Sequence, residues 1–477
     1  MSYPKPSELW EMSPDDFNKW RRENDLKRLF ECFQKTLPHF DEWLKENNLT
    51  IEFILGTDNP GQFFYWKSDT YCIKTTKENH ISYFFVPVFN QRHEKQIQNT
   101  KDSILENERS EQFIFKPYFA WVKKIHKIDK PIKTKYCGDL ETFRYTTGTA
   151  PNVPEMCSWS IAPGIPVLKL GGTKITGWFR FNDRNLDFTN LDFLEIDGKE
   201  SRNREIQVFY SHCENISTIN AVASFTKFYQ CAFSNLNSTN SRFYRVGFYH
   251  CDIFKAYFEN SIISNLIIED CSANNFSFNR VEVENLDYTP PKKEYHCGVV
   301  MTYKTVAVNY KRFRILYQSN GLRQEASESY YNERLFELKY NWGSLEFIKS
   351  FTYLWKRNID YGLSSIKQNF KKLIKSFSDI VSYLIWGFGE KPLRILSSSL
   401  FFLTTYAVIF YFSDIDKLRQ DIINSFYLSI VTFTTLGFGD ITPMSNNSYK
   451  LIVGSEALIG AFCMGLLVAG FANKSRY

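Results

Sequence analysis

The strongest constraint on the fold of this chain is a five-residue period in residues 181–288. An apolar or small residue returns at every fifth position, and from Phe228 onward a second apolar column follows two residues later. Neither the helical period of 3.6 nor the strand period of 2 produces this spacing. A coil of square cross-section does, because each five-residue side turns one corner and points two residues inward. The first column is Phe181, Leu186, Leu191, Ile196 and, after a polar break, Ile206, Ser211, Ile216, Ala221, Thr226, Cys231, Leu236, Ser241, Val246, Cys251, Ala256, Ser261, Leu266, Cys271, Phe276, Val281 and Leu286.

Four such sides make a coil of twenty residues, so residues twenty positions apart should stack. Cys231, Cys251 and Cys271 have this spacing. Self-similarity at a fixed period is typical of solenoids. The pattern resembles the pentapeptide-repeat family, and the resemblance implies a right-handed quadrilateral β-helix over residues 171–290. We interpret the cysteine stack as inward packing rather than a metal ladder, and the charged stretch 198–205 as a protruding loop.

Residues 1–170 are predicted to form a soluble, mixed α/β region whose role the sequence does not identify. Apolar residues recur at helical spacing in 15–47, and the aromatic runs 62–66 and 81–89 are typical of strands. The region has no Walker loop, HExxH, GxSxG or GxGxxG motif, so we do not expect an enzyme. The ten cysteines form no CxxC pair, which argues against zinc and leaves no cofactor indicated. Residues 1–48 lack an apolar signal segment, so we expect a cytosolic location with reduced thiols.

Residues 291–390 are predicted to be helical. Two helices, 303–318 and 322–340, are expected on either side of an Asn-Gly stop signal. The following stretch, 345–389, is both basic and apolar, and five apolar residues fall on one face of a helix. A helix of this kind is typical of the membrane surface, with a soluble helical bundle as the alternative. The apolar face is formed by Phe370, Ile374, Phe377, Val381 and Ile385.

Residues 391–477 differ from the rest of the chain in hydropathy. The whole chain has a mean hydropathy of −0.34, so most of it must be soluble. Residues 395–412 nevertheless form 18 positions without a charge, and residues 451–472 form 22 positions with one acid, Glu456. A membrane-spanning helix needs about 20 apolar residues. Both segments are therefore predicted to span the bilayer.

The segment between the two predicted spans carries the functional prediction. Residues 424–434 are expected to form a short helix that re-enters the bilayer, and they run into a glycine-spaced sequence. A dehydrated cation needs a ring of oxygens, which backbone carbonyls supply. Successive carbonyls point one way only if alternate residues are left-handed, a conformation that costs glycine little. The sequence after the short helix is Thr434, Thr435, Leu436, Gly437, Phe438, Gly439 and Asp440.

This heptapeptide, TTLGFGD, is similar to the potassium-channel signature TTVGYGD. The resemblance covers residues 395–474 and implies a two-transmembrane pore domain of a homotetramer, bound to potassium through the backbone of residues 435–439. The start of the second span also looks like bacterial members of that superfamily. Phe438 in place of Tyr and Leu436 in place of Val leave open whether the pore selects potassium or passes cations less selectively.

Three residues of the second span are candidates for pore support or gating. Glu456 is an acid within a span, which indicates a functional role, either behind the filter or at the outer interface. Gly460 is a candidate for close packing or bending, and Gly465 for a hinge. Basic residues precede the first span and follow the second, so both termini are expected on the cytoplasmic side of the inner membrane. Because only five residues follow position 472, control is expected from the N-terminal side, through an unidentified ligand or protein.

The predicted function is therefore a tetrameric cation channel with a large cytoplasmic N-terminal regulatory region. The net charge of +6 is mild for 477 residues and does not indicate nucleic-acid binding. The alternatives are a membrane-anchored repeat scaffold, or a stress or defence effector that depolarises the membrane through a less selective pore.

Overall fold

The computed structural model describes residues 3–46, 50–51, 65–67, 70–77, 80–87, 116–134, 138–140, 156–161, 164–200, 206–291, 302–343, 359–413, 418, 421–437, 441 and 447–475. The chain divides into two compact units, Met1–Thr302 and Tyr303–Tyr477. The predicted sequence of folds is confirmed: an N-terminal region of helices and short strands, a solenoid, a helical segment and a pore domain follow one another. The finer division at residues 170, 290 and 390 stays a prediction.

The first unit begins with helices that pack on the solenoid. They are α1 (Pro6–Glu11), α2 (Pro14–Trp20), a π-helical stretch (Arg21–Leu26), α3 (Lys27–Thr36), α4 (Phe40–Glu46) and α5 (Lys116–His126). Ser13 caps α2, since its hydroxyl accepts the backbone N–H of Asp16 at 3.1 Å. Phe33 packs edge-on against Phe188 of the solenoid at 5.5 Å between ring centroids. Trp10 donates its indole N–H to the carbonyl of Leu170 at 2.9 Å. These contacts close the first coil of the solenoid against water.

Two small antiparallel sheets lie outside the solenoid. The first joins β1 (Tyr65–Lys67), β2 (Thr70–Lys77) and β3 (His80–Pro87), and the second joins β4 (Ile132–Thr134) and β5 (Gly138–Leu140). The strands predicted at 62–66 and 81–89 therefore exist, with bounds shifted by a few residues. Positions 62–64 and 88–89 lie outside the described residues.

The solenoid has about six turns, and its strands run in parallel from coil to coil, except that the first strand, Cys157–Ser160, is antiparallel to Pro166–Lys169. The pairing joins residues twenty positions apart, as predicted: Phe228 pairs with Phe248, Phe248 with Ile268, and Ile268 with Tyr288. The cysteines also stack, and the backbone N–H of Cys251 donates to Sγ of Cys271 at 3.3 Å. The strands are β6 (Cys157–Ser160), β7 (Pro166–Lys169), β8 (Lys174–Ile175), β9 (Thr189–Asn190), β10 (Glu195–Asp197), β11 (Ile206–Phe209), β12 (His212–Glu214), β13 (Ser217–Ile219), β14 (Val222–Tyr229), β15 (Ala232–Ser234), β16 (Leu236–Thr239), β17 (Arg242–Tyr249), β18 (Asp252–Ile253), β19 (Ala256–Glu259), β20 (Ile262–Ile263), β21 (Leu266–Glu269), β22 (Ser272–Ala273), β23 (Phe276–Asn279), β24 (Glu282–Val283) and β25 (Leu286–Thr289).

The corners of the coil are left-handed residues at five-residue intervals. Half of the non-glycine corners among the described residues are Asn or Asp, whose short polar side chains tolerate this conformation better than other non-glycine residues do. The backbone thus turns once per side without needing a glycine at each corner. The Asn and Asp corners are Asp183, Asn215, Asn220, Asn235, Asn240, Asn260, Asp270 and Asn275.

The prediction that Leu191 and Ile196 belong to the first inward column is wrong. Ile196 pairs with Thr218, twenty-two positions away, so the coil that contains the polar break is two residues longer than the regular coils of twenty. Leu191 and Ile196 therefore belong to the second inward column rather than the first. Parallel pairing from coil to coil is already present at Leu168, which pairs with Thr189. That pair is twenty-one positions apart. A search of the sequence for residues spaced by multiples of five therefore does not detect the first coil.

The second unit begins with a helical hairpin and an amphipathic helix. Helices α6 (Tyr303–Ser319) and α7 (Arg323–Gly343) meet at Gly321, which has a φ of 72°. Helix α8 (Ile359–Trp386) is bound to this hairpin on its polar side, where Arg334 donates to Asp379 at 2.7 Å. Its other side is an exposed apolar stripe, as expected for a helix at a membrane surface. Phe370, Ile374, Phe377 and Val381 of the predicted face are exposed, together with Leu384, whereas the predicted member Ile385 is half-buried.

Three helices complete the unit: α9 (Leu393–Tyr411), α10 (Ile422–Phe433) and α11 (Asn447–Ser475). Helices α9 and α11 are long and apolar enough to cross a membrane. The predicted spans, 395–412 and 451–472, lie on these two helices. The predicted re-entrant helix, 424–434, corresponds to α10, which begins two residues earlier.

Candidate ion-conduction site

Helix α10 is the element that positions the candidate site. Asp421 caps its first turn, since the Asp421 carboxylate accepts the backbone N–H of Asn424 at 3.0 Å. Residues at spacings of four and three place hydroxyl groups on the buried face of this otherwise apolar helix. Ser425, Ser429 and Thr432 are the buried members of this face, with 1%, 0% and 5% of their surface exposed.

The two membrane-length helices hold α10 through Ser429. The Ser429 hydroxyl lies 2.9 Å from the carbonyl oxygen of Leu403 on α9 and hydrogen-bonds to the carboxyl group of Glu456 on α11. Glu456 is fully buried. Within the subunit Glu456 therefore lies in the interior, against α10, and its role in pore support or gating stays a prediction.

The contact between α10 and α11 also depends on Gly460. A Cβ atom added at Gly460 would lie 2.0 Å from the carbonyl oxygen of Phe433, the last residue of α10. Gly460 thus allows the two helix backbones to touch. Gly465 differs, since a Cβ atom there would meet nothing within 4 Å among the described residues. A hinge at Gly465 stays a prediction.

Helix α10 ends in a Schellman motif, which fixes the direction of the following segment. Thr435 is left-handed, with a φ of 56°, and its N–H donates to the carbonyl of Thr432 at 3.0 Å. The N–H of Leu436 reaches back to the carbonyl of Val431 at 3.1 Å. These are the two hydrogen bonds of the motif, which usually has glycine at the left-handed position. A threonine there costs about 1–2 kcal/mol, so the surrounding structure must hold it in place.

The left-handed conformation returns at Gly437, which has a φ of 94°, while Leu436 between them has a negative φ. Thr435, Leu436 and Gly437 thus alternate in the sign of φ, with Thr435 belonging to the motif that ends the helix. The alternation expected at Gly437 and Gly439 stays a prediction. Within the subunit these residues are exposed, and Leu436 is 78% accessible. Phe438, Gly439 and Asp440 lie outside the described residues.

Sequence reasoning identified Glu456 and Gly460 but missed their partners. Ser429 and the carbonyls of Leu403 and Phe433 lie on other helices, so no local spacing connects them with the second span. The signal available was the hydroxyl stripe of α10, because polar residues on one face of an apolar helix indicate a buried polar contact.

The geometry defines a class of protein: a short helix is clamped between two membrane-length helices and is followed by alternating left-handed backbone, as in a two-span pore domain. Comparison with known families agrees, since the family described as "Ion channel" matches residues 398–476. The C-terminal part of the chain is therefore a two-transmembrane, potassium-channel-like domain, and the chain is a membrane protein with a solenoid of the pentapeptide-repeat kind before its pore. No curated protein matches the chain.

Proposed function

We propose that the chain is one subunit of a homotetrameric channel that conducts potassium and is regulated from its N-terminal region. The observation that carries this proposal is the backbone after α10. Left-handed residues occur there at alternate positions, Thr435 and Gly437, and such alternation is what allows successive carbonyl groups to point toward the same side. Carbonyl oxygens replace the hydration shell of a cation without adding a full negative charge.

The assembly follows from the exposure of this segment. Non-helical backbone at membrane depth is tolerated only where protein buries it or water lines it. In one subunit Thr434, Thr435, Leu436 and Gly437 are all exposed. Four copies around a symmetry axis would enclose these residues and complete a ring of oxygens. We extend the same ring to Phe438, Gly439 and Asp440 on their sequence.

The orientation follows from charge. Lys391 precedes α9, Arg394 lies in its first turn, and Lys474 follows the apolar part of α11. Cytoplasmic flanks of spans carry an excess of lysine and arginine. Both termini would then face the cytoplasm of a cell with the channel in its inner membrane, and the apolar stripe of α8 would lie on the cytoplasmic leaflet.

The route of regulation is the short turn between α8 and α9. Gly387, Phe388 and Gly389 are all left-handed, with φ of 58°, 59° and 91°. Arg394 at the start of α9 donates to the carbonyl of Tyr383 at 3.1 Å and lies 3.2 Å from the hydroxyl of Tyr331 on α7. A movement of the hairpin or of α8 would therefore pull directly on the first span.

The proposal is tested by reversal potentials of the purified full-length chain in bilayers under opposed potassium and sodium gradients. A potassium-selective pore should follow the potassium equilibrium potential, about 59 mV for a tenfold gradient. Gly437→Ala should abolish selective current because alanine is strained at a φ of 94°, whereas Gly454→Ala should not, since its Cβ would meet nothing within 4 Å. Current without selectivity would favour the depolarising effector, and the absence of current in every condition would overturn the channel.

Regulation has a separate test. A chain lacking the first compact unit, Met1–Thr302, should keep the reversal potential of the full-length protein but change its open probability. Unchanged gating would contradict control from the N-terminal region without affecting the proposal of a pore.

A further inference from the structure

A second constellation of chemically active side chains lies in the first unit. His39 immediately precedes α4, and its carbonyl accepts the backbone N–H of Trp43 at 3.0 Å. Glu42 is in the first turn of α4, and His126 is the last residue of α5. His39 has a φ of 58°, a conformation that is uncommon for a residue with a side chain. The turn and the two helix ends thus bring two imidazoles and one carboxylate together.

Both imidazoles face the same carboxylate oxygen. Nδ1 of His39 lies 3.0 Å and Nε2 of His126 lies 3.2 Å from Oε2 of Glu42. The two rings are stacked, with centroids 3.5 Å apart and an interplanar angle of 9°. Because an imidazole lone pair lies in the plane of its ring, one ring must turn before both nitrogens can bind a shared ion, and His39, with 42% of its side chain exposed, has the space to turn. Three potential metal ligands therefore lie within 4.8 Å of one another.

Hydrogen bonding explains the contact of His39 with Glu42 but not that of His126 with Glu42. Glu42 pairs with His39, but Nε2 of His126 is buried and makes no hydrogen bond among the described residues, despite its closeness to Oε2. A buried ring nitrogen without a hydrogen bond costs free energy. A metal ion would remove that cost, because the lone pair of a neutral imidazole is its ligand group.

The two nitrogen–oxygen separations also fit a metal ion. Tetrahedral zinc binds nitrogen and oxygen at about 2.0–2.2 Å, so its ligand atoms lie about 3.3 Å apart. The two nitrogen–oxygen distances, 3.0 and 3.2 Å, are close to this value. The side chains of His39, Glu42 and His126 are 42%, 46% and 21% exposed, which leaves room for an ion to enter and for water to complete its coordination.

The helices beneath the site hold it in place. Trp121 of α5 donates its indole N–H to Glu46 of α4 at 2.6 Å, and the Tyr118 hydroxyl donates to the carbonyl of Pro38 at 2.7 Å. The ring of Trp121 also packs edge-on against His126, with centroids 5.0 Å apart. Such supporting contacts orient metal ligands.

A second cluster, Asp192, His212 and Glu214 on the solenoid, serves as a contrast. There Oδ1 of Asp192 is 2.6 Å from Nδ1 of His212 and accepts the backbone N–H of Glu214 at 2.7 Å. Its other oxygen accepts the amide of Asn190 at 2.6 Å. These hydrogen bonds account for the buried carboxylate as part of the coil, so this cluster does not call for an ion.

We propose that His39, Glu42 and His126 bind a first-row divalent transition metal, with Zn²⁺ the best fit. Two imidazoles and one carboxylate suit such ions better than they suit calcium or magnesium, which prefer oxygen ligands. The bound ion joins the start of α4 to the end of α5. It thereby links two of the helices that pack on the solenoid, which residues 47–115 separate along the chain.

The test is titration of the full-length, tag-free protein in detergent with Co²⁺ alone, followed by its visible absorption, and then displacement by Zn²⁺. One ion per chain is expected. His39→Gln, Glu42→Gln and His126→Gln should each weaken metal binding by at least about 10–100-fold. Loss of a residue that only orients a metal ligand already lowers metal affinity by this much, and loss of a ligand should cost no less. His212→Gln, in the contrasting cluster, should bind as the wild type does.

Thermal unfolding separates loss of the ligand from loss of the fold. Zn²⁺ should raise the unfolding temperature of the wild type through linkage, and it should not raise that of the His126→Gln chain, whose metal-free unfolding should match the wild type. Binding that survives all three substitutions, or that is lost in His212→Gln, would overturn the site. So would an unchanged absorption spectrum at saturating Co²⁺.

Discussion

Gly460 of the second span lies directly against the carbonyl group of Phe433, at the point where the pore helix ends. A Cβ atom at Gly460 would be 2.0 Å from the Phe433 oxygen and 2.7 Å from its carbon. Backbone atoms cannot yield as a flexible side chain can. The conformation that starts the glycine-spaced segment therefore depends on a residue twenty-seven positions later in the chain.

Gly460→Ala should displace the end of α10 and thereby the segment after it. Overpacking of this kind costs about 1–3 kcal/mol, and we expect a lower unfolding temperature and little or no ion flux. Gly454→Ala on the same helix is the matched control, since its Cβ would meet nothing within 4 Å. Equal flux and stability in the two variants would show that the close approach is unimportant.

Ser429→Ala should loosen the clamp on the pore helix from both sides. It leaves the buried Glu456 carboxyl group without its hydroxyl partner, a loss that costs about 1–3 kcal/mol. Glu456→Gln keeps a hydrogen-bonding group and should be milder. The unfolding temperature in detergent measures the loss of stability in each of these two variants. Ser455→Ala is the control, because that hydroxyl is exposed and contacts Tyr406 at 2.8 Å, and a Ser429 effect no larger than the Ser455 effect would contradict the clamp.

Arg21→Ala should detach the N-terminal helices from the solenoid. The buried Arg21 guanidinium bonds to Asp25 at 2.6 and 3.0 Å and to the carbonyl of Asn185 at 2.6 Å. Removal of one partner of a buried ion pair costs about 3–5 kcal/mol. Hydrogen exchange of α2 and α3 should rise accordingly. Arg22→Ala is the control, because it removes the same charge at a half-buried neighbouring position. Equal hydrogen exchange in the two variants would contradict the role of Arg21 in holding the helices on the solenoid.

Asp187 should make the first unit less stable as the pH rises. Burial raises the pKa of Asp187 to about 7, although the N–H of Phe209 and the charge of Arg21 act to lower it. The unfolded value is near 4, so the folded state holds the proton more tightly. This stabilisation is complete below pH 4 and is lost as the pH rises through 7.

Asp187→Asn keeps an acceptor for the N–H of Phe209, which is 2.9 Å from the present carboxylate, and removes the charge. Relative to the wild type, the variant should gain about 2–3 kcal/mol between pH 5 and pH 8, because the wild type alone must ionise a buried carboxyl group. Denaturant unfolding at the two pH values measures this gain. A difference between the chains that does not change with pH would contradict the assignment.

Much of the fold was predictable because it is periodic. Residues twenty apart stack in the solenoid by the geometry of the coil, so Cys251 and Cys271 identify one another without knowledge of the structure. The membrane-length helices and the segment between them follow in the same way from runs of apolar residues and from glycine spacing. Each of these signals is local or repeats at a fixed distance.

The structure was needed where that distance changes or where separate elements meet. Coils of twenty-one and twenty-two residues moved Leu191 into the other column, and no count in fives reveals an added residue. The contacts of Ser429 with Glu456, and of Glu42 with His126, join helices whose order in the chain does not determine how they pack. The sequence by itself determined which helices and strands form, because the spacing of apolar residues that defines each element involves only residues close together in the chain. Only the tertiary structure decided which polar groups share a site, because that depends on how apolar faces pack together.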